Sequence, residues 1–241
     1  MADPAADPLL NPASDPAADA TARPATGQYF EAEPLVAAAP RTIAVNIGEM
    51  QLTFVTDSGV FSPDRLDAGT RLLLLEAPPL DAGDRRVLDL GCGWGPIACV
   101  AGLRSPAAEV LAVDVNERAL SLTAGNAKRN RVDNVTVARP DDVDPAHRFD
   151  RILCNPPIRV GKNALHGLLA SWLDRLATGG RAHLVVHRHL GSDSLARWLT
   201  DRGHEVDRLV SRSGYRLLEV QPRGGGESQS DRPGTETAST P

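Results

Sequence analysis

The sequence predicts an α/β fold: a seven-stranded, mostly parallel, doubly wound sheet with helices on both faces and an antiparallel hairpin at its C-terminal edge. Three observations carry this expectation. Short β-type apolar runs alternate with segments of helical period from residue 72 to residue 201, the pattern of crossover units in a parallel sheet. A glycine-rich turn follows the first of those runs, at Gly91, Gly93 and Gly95. The last two runs are separated only by Ser213 and Gly214, a spacing that makes a tight hairpin.

Each element follows from local pattern. Thr42 to Val55 (TIAVNIGEMQLTFV) alternates roughly and is broken at Gly48, which predicts a short β-hairpin ahead of the loop TDSGVFSPDRLDAGT. Leu72 to Leu75 belongs to a helix before the first core strand, RRVLDL, and Gly95 to Arg104 opens the next helix. EVLAVDV is the second strand. Glu117 to Asn130 is a helix with apolar positions Ala119, Leu120, Leu122, Thr123 and Ala127, and NVTVA is the third strand. FDRILCN follows as strand four, Ala164 to Leu176 as a helix and RAHLVVH as strand five. Ser192 to Asp201 is a helix that Ser192 or Asp193 would cap at its start, with Gly203 just past its end. EVDRLVSR and YRLLEV complete the list. Trp172 and Trp198 fall at apolar positions of their helices and are expected in the core.

Composition sets the boundaries. Residues 1–28 and 223–241 are built from Ala, Asp, Pro, Gly, Ser and Thr without apolar period and read as disordered tails around one domain at 29–222. The net charge of −5 is concentrated in them: residues 1–29 hold four Asp against one Arg. Residues 151–222 are instead basic, with eleven Arg or Lys against six Asp or Glu. That surplus is either a face for phosphates or a solvated surface. Three cysteines, Cys92, Cys99 and Cys154, form no C-x-x-C pair, which argues against a disulfide framework and for a reducing, cytoplasmic setting. No H-x-x-x-H or H-E-x-x-H spacing suggests a metal, so none is expected, and His187 and His189 read as surface or pocket rim. No run approaches the roughly 18 apolar residues of a membrane span.

The chemistry concentrates in two motifs. In VLDLGCGWG, the strand Val87–Leu90 runs into Gly91, Gly93 and Gly95, which let the backbone turn sharply and approach a ligand closely. In a doubly wound fold this turn borders the cofactor crevice. Asp89 could accept hydrogen bonds there, from a loop or through water from a cationic amino group, and Trp94 could wall the pocket. The spacing G-x-G-x-G followed by Pro96 disfavours the dinucleotide pattern G-x-G-x-x-G. Asp114, with Val115 beside it, ends strand two where a carboxylate accepts ribose hydroxyls; this residue alone does not separate NAD from S-adenosylmethionine. Asp141 or Asp142, after strand three, is placed to receive an adenine amine or else to sit in a solvated turn.

The second motif is CNPPIR, Cys154 to Arg159, at the end of strand four. Two consecutive prolines carry no backbone N–H and fix φ, so the segment presents carbonyl oxygens and the Asn155 amide in a rigid array. An amine conjugated to an aromatic ring is a poor nucleophile. Held by its N–H groups on the Asn155 side-chain oxygen and the Pro156 carbonyl, it would aim its lone pair at an electrophilic methyl group without a strong base.

VLDLGCGWGPIA, AVDVNERAL and NPPIRVGK together resemble the class I, S-adenosylmethionine-dependent methyltransferases that modify ribosomal RNA at guanine N2, specifically the catalytic half of the small-subunit 16S rRNA family. With TDSGVFSPDRLDAGTRLLL the resemblance spans about residues 28–221. It implies a Rossmann-like fold, S-adenosylmethionine as cofactor, and ribosomal RNA or the small subunit as partner. It further implies that Gly91, Gly93 and Asp114 contact the cofactor, that Asn155 and Pro156 receive the amine, and that Val60, Phe61 and Ser62 help close the site. Arg159, Lys162 and His166 become candidates for substrate contact. Two departures stand out. Ile158 occupies a place where many amine methyltransferases carry a stacking aromatic residue and offers only apolar contact. The degenerate second half that larger relatives carry ahead of the catalytic one is not expected here. Two other readings remain: a protein amide or adenine amine as acceptor, which Ile158 weakens, and a non-catalytic assembly factor, which the intact Asn155 and glycine turn oppose.

Overall fold

A computed structural model describes residues 36–222. The tails expected at 1–28 and 223–241, and the first residues of the expected domain, 29–35, lie outside the described residues. The chain opens with a two-stranded antiparallel hairpin, β1 (Arg41–Ile47) and β2 (Met50–Thr56), turning at Gly48 with φ 57°. Val45, Ile47, Leu52 and Phe54 point inward from alternate positions, as a half-buried ribbon requires. The hairpin is tied to the domain by Asn126, whose amide bonds both the N–H and the carbonyl of Val55, each at 2.7 Å.

The main sheet contains β3 (Arg86–Leu90), β4 (Glu109–Val113), β5 (Val135–Ala138), β6 (Phe149–Cys154), β7 (Leu176–His187), β8 (His204–Arg212) and β9 (Tyr215–Pro222), in the order β5-β4-β3-β6-β7-β9-β8. The first five in that order are parallel, and β9 runs antiparallel to β7 and β8. This is the Rossmann-like sheet the sequence predicts. Neighbouring strand residues feed opposite cores. Val87 and Leu217 face α1 (Ala68–Glu76), α2 (Pro96–Arg104) and α3 (Glu117–Arg129), whereas Leu88 and Leu218 face α4 (Lys162–Leu173) and α5 (Ser192–Asp201). Both faces are dry, so the central strands read as continuous apolar runs, and each fully buried Leu or Val stabilises the fold by about 1.5–3 kcal/mol. The chain leaves β3 toward β4 and β5 and returns on its other side as β6. The crevice at that switch point, beyond the carboxyl ends of β3 and β6, is where open α/β sheets hold ligands.

Three expectations change. The fourth helix ends at Leu173, not Leu176, because the sheet claims the following residues: the Phe149 N–H donates to the Arg175 carbonyl at 2.9 Å and Leu176 pairs with Phe149. Helical period continues through Leu176, but strand pairing overrides it. Neither Ser192 nor Asp193 caps α5; Gly191, with φ 97°, holds the cap position without a side-chain bond. The Ser192 hydroxyl accepts from Arg216 at 3.1 Å, and Asp193 pairs with Arg208 and Arg216. Trp172 is core, but Trp198 is half-buried and stacks on His166.

Candidate active site

The turn after β3 is built by backbone geometry. Gly91, Gly93 and Gly95 all have positive φ, at 76°, 57° and 88°, a region that strongly favours glycine. The N–H groups of Gly91 and Cys92 donate to the Val113 carbonyl, which docks the turn on β4. At Gly91 and Gly93 an added Cβ would meet nothing within 4 Å, and both line a cleft. Gly95 differs: a Cβ there would lie 2.9 Å from the Thr123 side chain, so it serves the packing of α3 and does not line the cleft.

The cleft lies between the glycine turn, Phe61, Ser62, the first turn of α1 and Asn155. Its cover is pinned. The Trp94 indole N–H donates to the carbonyls of Phe61 and Ser62 at 3.1 and 3.3 Å, and Asn116 Nδ2 donates to the Gly59 carbonyl at 2.8 Å. Trp94 is buried edge-on against Phe54 and lines the cleft, as its place in the turn suggested. Val60 is core, while Phe61 is exposed at the mouth.

Two acids lie behind the turn. Asp89 is fully buried; Oδ2 accepts the Ala98 N–H at 2.9 Å, whereas Oδ1 meets no donor among the described residues. Burial pushes its carboxyl up to about 8, the Ala98 N–H opposes this, and the Asp114 charge adds to it. Asp114 ends β4 and accepts from Gly93 N–H at 2.9 Å through Oδ2 and from Asn116 N–H at 3.0 Å through Oδ1. Burial raises its pKa despite these bonds. Val115 is half-buried beside it, and Asp141 and Asp142 are exposed in the 3₁₀ turn Pro140–Asp142 after β5. Asp114, Val115 and Asp142 share the carboxyl edge of the sheet but do not line the cleft that holds Asn155.

Asn155 follows β6, and its amide orientation is set by its neighbours. Nδ2 donates to Asp67 Oδ2 and to Thr70 Oγ1, both at 2.9 Å. Asp67 Oδ2 also accepts the Thr70 N–H at 3.0 Å, capping α1. Since the carboxylate can only accept, the NH₂ end must face it, and the Asn155 oxygen is left as the acceptor end. Asp67 and Thr70 received no role from sequence reasoning; the signal was the D-x-x-T cap ahead of the apolar run LLLL. Pro156 is buried, and its carbonyl accepts the Ile158 N–H at 2.8 Å, which leaves one lone pair. Arg159 lies in the 3₁₀ turn Ile158–Val160. Ile158, Lys162 and His166 line a second cleft, not this one. His187 is half-buried, edge-on to Tyr215 at 4.8 Å. Among the described residues no three His, Cys, Asp or Glu side chains gather as a metal site, and no helix is long and apolar enough to cross a membrane.

Residues 51–219, well over half of the chain, match the family Methyltransferase small domain. The chain belongs to that family. This methyltransferase is 33% identical over 198 residues to the uncharacterized protein YbxB of Bacillus subtilis (strain 168), covering 80% of its own length and 97% of the relative. It is 30% identical to ribosomal RNA small subunit methyltransferase C of Pseudoalteromonas translucida, covering 62% of its own length and 45% of that protein. Ribosomal RNA large subunit methyltransferase G of Shewanella oneidensis is 33% identical, with 64% and 42% covered. The methyltransferase thus spans less than half of these two named enzymes. Among solved structures it resembles the Thermus thermophilus 16S rRNA N2 G1207 methyltransferase in complex with AdoMet and guanosine, at a TM-score of 0.67 and 25% identity, covering 79% of this chain and 52% of that one.

Proposed function

We propose that this methyltransferase transfers a methyl group from S-adenosylmethionine to the exocyclic N2 amine of a guanine in small-subunit ribosomal RNA. The observation that carries the reading is the oriented Asn155 amide: Asp67 and Thr70 hold its NH₂ end, so its oxygen is an acceptor beside the glycine turn. The residues present fit the cofactor. Gly91 and Gly93 leave open space at the cleft, the buried Asp89 Oδ1 has no partner among the described residues, and the Asp114 carboxylate ends β4 beside the glycine turn, held by backbone N–H groups. We assign Gly91, Gly93, Asp89, Asp114 and Val115 to that ligand, with Phe61 at its cover and Asp142 at the outer rim. When bound, S-adenosylmethionine supplies an electrophilic methyl group on a sulfonium.

The chain's own residues do the positioning. Asn155 Oδ1 and the remaining lone pair of the Pro156 carbonyl accept the N–H bonds of the target amine, which points its nitrogen lone pair into the cleft. Asp67 is a positioning residue: it fixes the Asn155 amide and caps α1. No strong base is required, because the proton leaves only after nitrogen has become cationic and acidic. A guanine in a duplex would have to be extruded, or taken before the RNA folds completely. The test is transfer of labelled methyl to small subunits, large subunits, free ribosomal RNA and bulk protein, followed by nucleoside analysis. N2-methylguanosine in small-subunit RNA supports the proposal. Label in large-subunit RNA would shift the target toward the large-subunit relative, and label confined to protein or adenine would overturn the acceptor assignment.

A further inference from the structure

We infer that the second cleft is a subsite for the nucleotide adjacent to the target guanine in the RNA strand; this rests on the function proposed above. The cleft is open to solvent and lies between α4 and the start of α5. Ile158, Leu190 and Leu195 form its apolar walls, and Lys162, His166 and Ser194 its polar rim. Ile158 joins it to the acceptor turn, since the Ile158 N–H donates to the Pro156 carbonyl at 2.8 Å. A group in this cleft and an amine on Asn155 therefore sit on two sides of one short rigid turn, as neighbouring residues of one strand require.

Its chemistry suits a nucleobase with its phosphate. Leu190 is 47% exposed, an apolar surface that the face of a base can cover. Among the described residues no carboxylate lines the cleft, and Lys162, one of two lysines in the chain, supplies a point charge for a phosphodiester. The His166 ring is held flat on Trp198, with centroids 3.8 Å apart and planes 15° from parallel. Burial and the charges of Lys162 and Arg202 lower its pKa, so at neutral pH it offers a neutral, hydrogen-bonding edge. Base contacts of this kind replace the stacking that Ile158 does not provide beside Asn155.

Inhibition of methyl transfer to small-subunit RNA tests the inference with the full chain, comparing guanosine with a tri-ribonucleotide bearing a central guanine. The trinucleotide is expected to inhibit at a concentration at least about tenfold lower than guanosine, the scale of one stacked base. Ser194→Trp, which fills the cleft from its half-buried rim on α5, should bring the two inhibitors within about twofold of each other. Lys162→Ala, at an exposed position that folding tolerates, should lower the trinucleotide advantage by about threefold and reduce its salt dependence. Equal inhibition by both compounds in the wild type, or an unchanged ratio in both variants, would overturn the subsite while leaving the guanine reading intact. Absence of label in any RNA overturns that reading and the subsite with it.

Discussion

The Asn155 cluster, at the carboxyl ends of β3 and β6, and the Arg151 cluster, within β6, β7 and β9, are both polar groups set into an apolar sheet. Arg151 Nη2 donates to Asp84 Oδ2 at 2.5 Å, Nη1 faces His183 Nδ1 at 3.4 Å, and His183 Nε2 bonds Glu219 Oε2 at 3.0 Å. That chain runs between internal partners, with the Arg151 Nε left without one among the described residues. In the other cluster Asp67 and Thr70 satisfy only the NH₂ end of Asn155, and the oxygen end is left for a partner at a cleft. The first network pairs its charged groups with one another in the interior, whereas the second keeps an acceptor at the cleft.

The two clusters should break differently. Arg151→Met removes the guanidinium partner of the buried Asp84 carboxylate and is expected to cost about 3–5 kcal/mol, read from urea unfolding; a loss under about 1 kcal/mol would mean that the pair is not coupled to the fold. Asn155→Ala should leave the melting temperature and S-adenosylmethionine affinity nearly unchanged while lowering methyl transfer by about 10²–10³-fold, the scale of losing one preorganised polar contact. Retention of wild-type turnover would remove Asn155 from the mechanism. Asp67→Ala should do some of both: about 1 kcal/mol lost with the α1 cap, and kcat lowered by about tenfold with KM less affected. Asp67→Asn, which can still cap, should recover the stability and most of the kcat. A variant that recovers stability without kcat would mean the carboxylate acts as more than a positioning group.

The smallest effect is on pH dependence. Burial first, then Arg151, pushes His183 down to about 4, against 6.5 for a free histidine. Protonation would set a second N–H against the Arg151 guanidinium. The unfolded chain then binds more protons than the folded one between pH 6.5 and 4, so this contribution to stability is present above that window and lost as pH falls through it. His183→Gln should flatten the acid limb of the unfolding midpoint between pH 7 and 4. An acid limb as steep as in the wild type would place its origin elsewhere.

Much of the fold was legible because its signals are local. Apolar alternation, helical period and glycine at turns identified the strands and helices, and the hairpin turn at Ser213 and Gly214 appears with positive φ at both residues. The failures are places where a distant partner outbids local preference. Leu176 fits the helical period but pairs with Phe149; Ser192 fits a cap but bonds Arg216; Trp198 fits a core face but covers His166. Gly95 fits the glycine motif, and both its φ of 88° and the Thr123 side chain packed against it call for glycine.

Sequence by itself determined the family, the order of strands and helices, and the positions of the glycine turn and the N-P-P segment at strand ends, since each depends on residues a few places apart. Tertiary structure alone decided which way Asn155 faces, because the groups that orient it, Asp67 and Thr70, lie 88 and 85 residues away. It also decided that Ile158, Lys162 and His166 belong to a cleft separate from the one at the glycine turn. A side-chain amide has two ends of nearly equal size and opposite hydrogen-bonding sense. Only the neighbours brought by folding can choose between them.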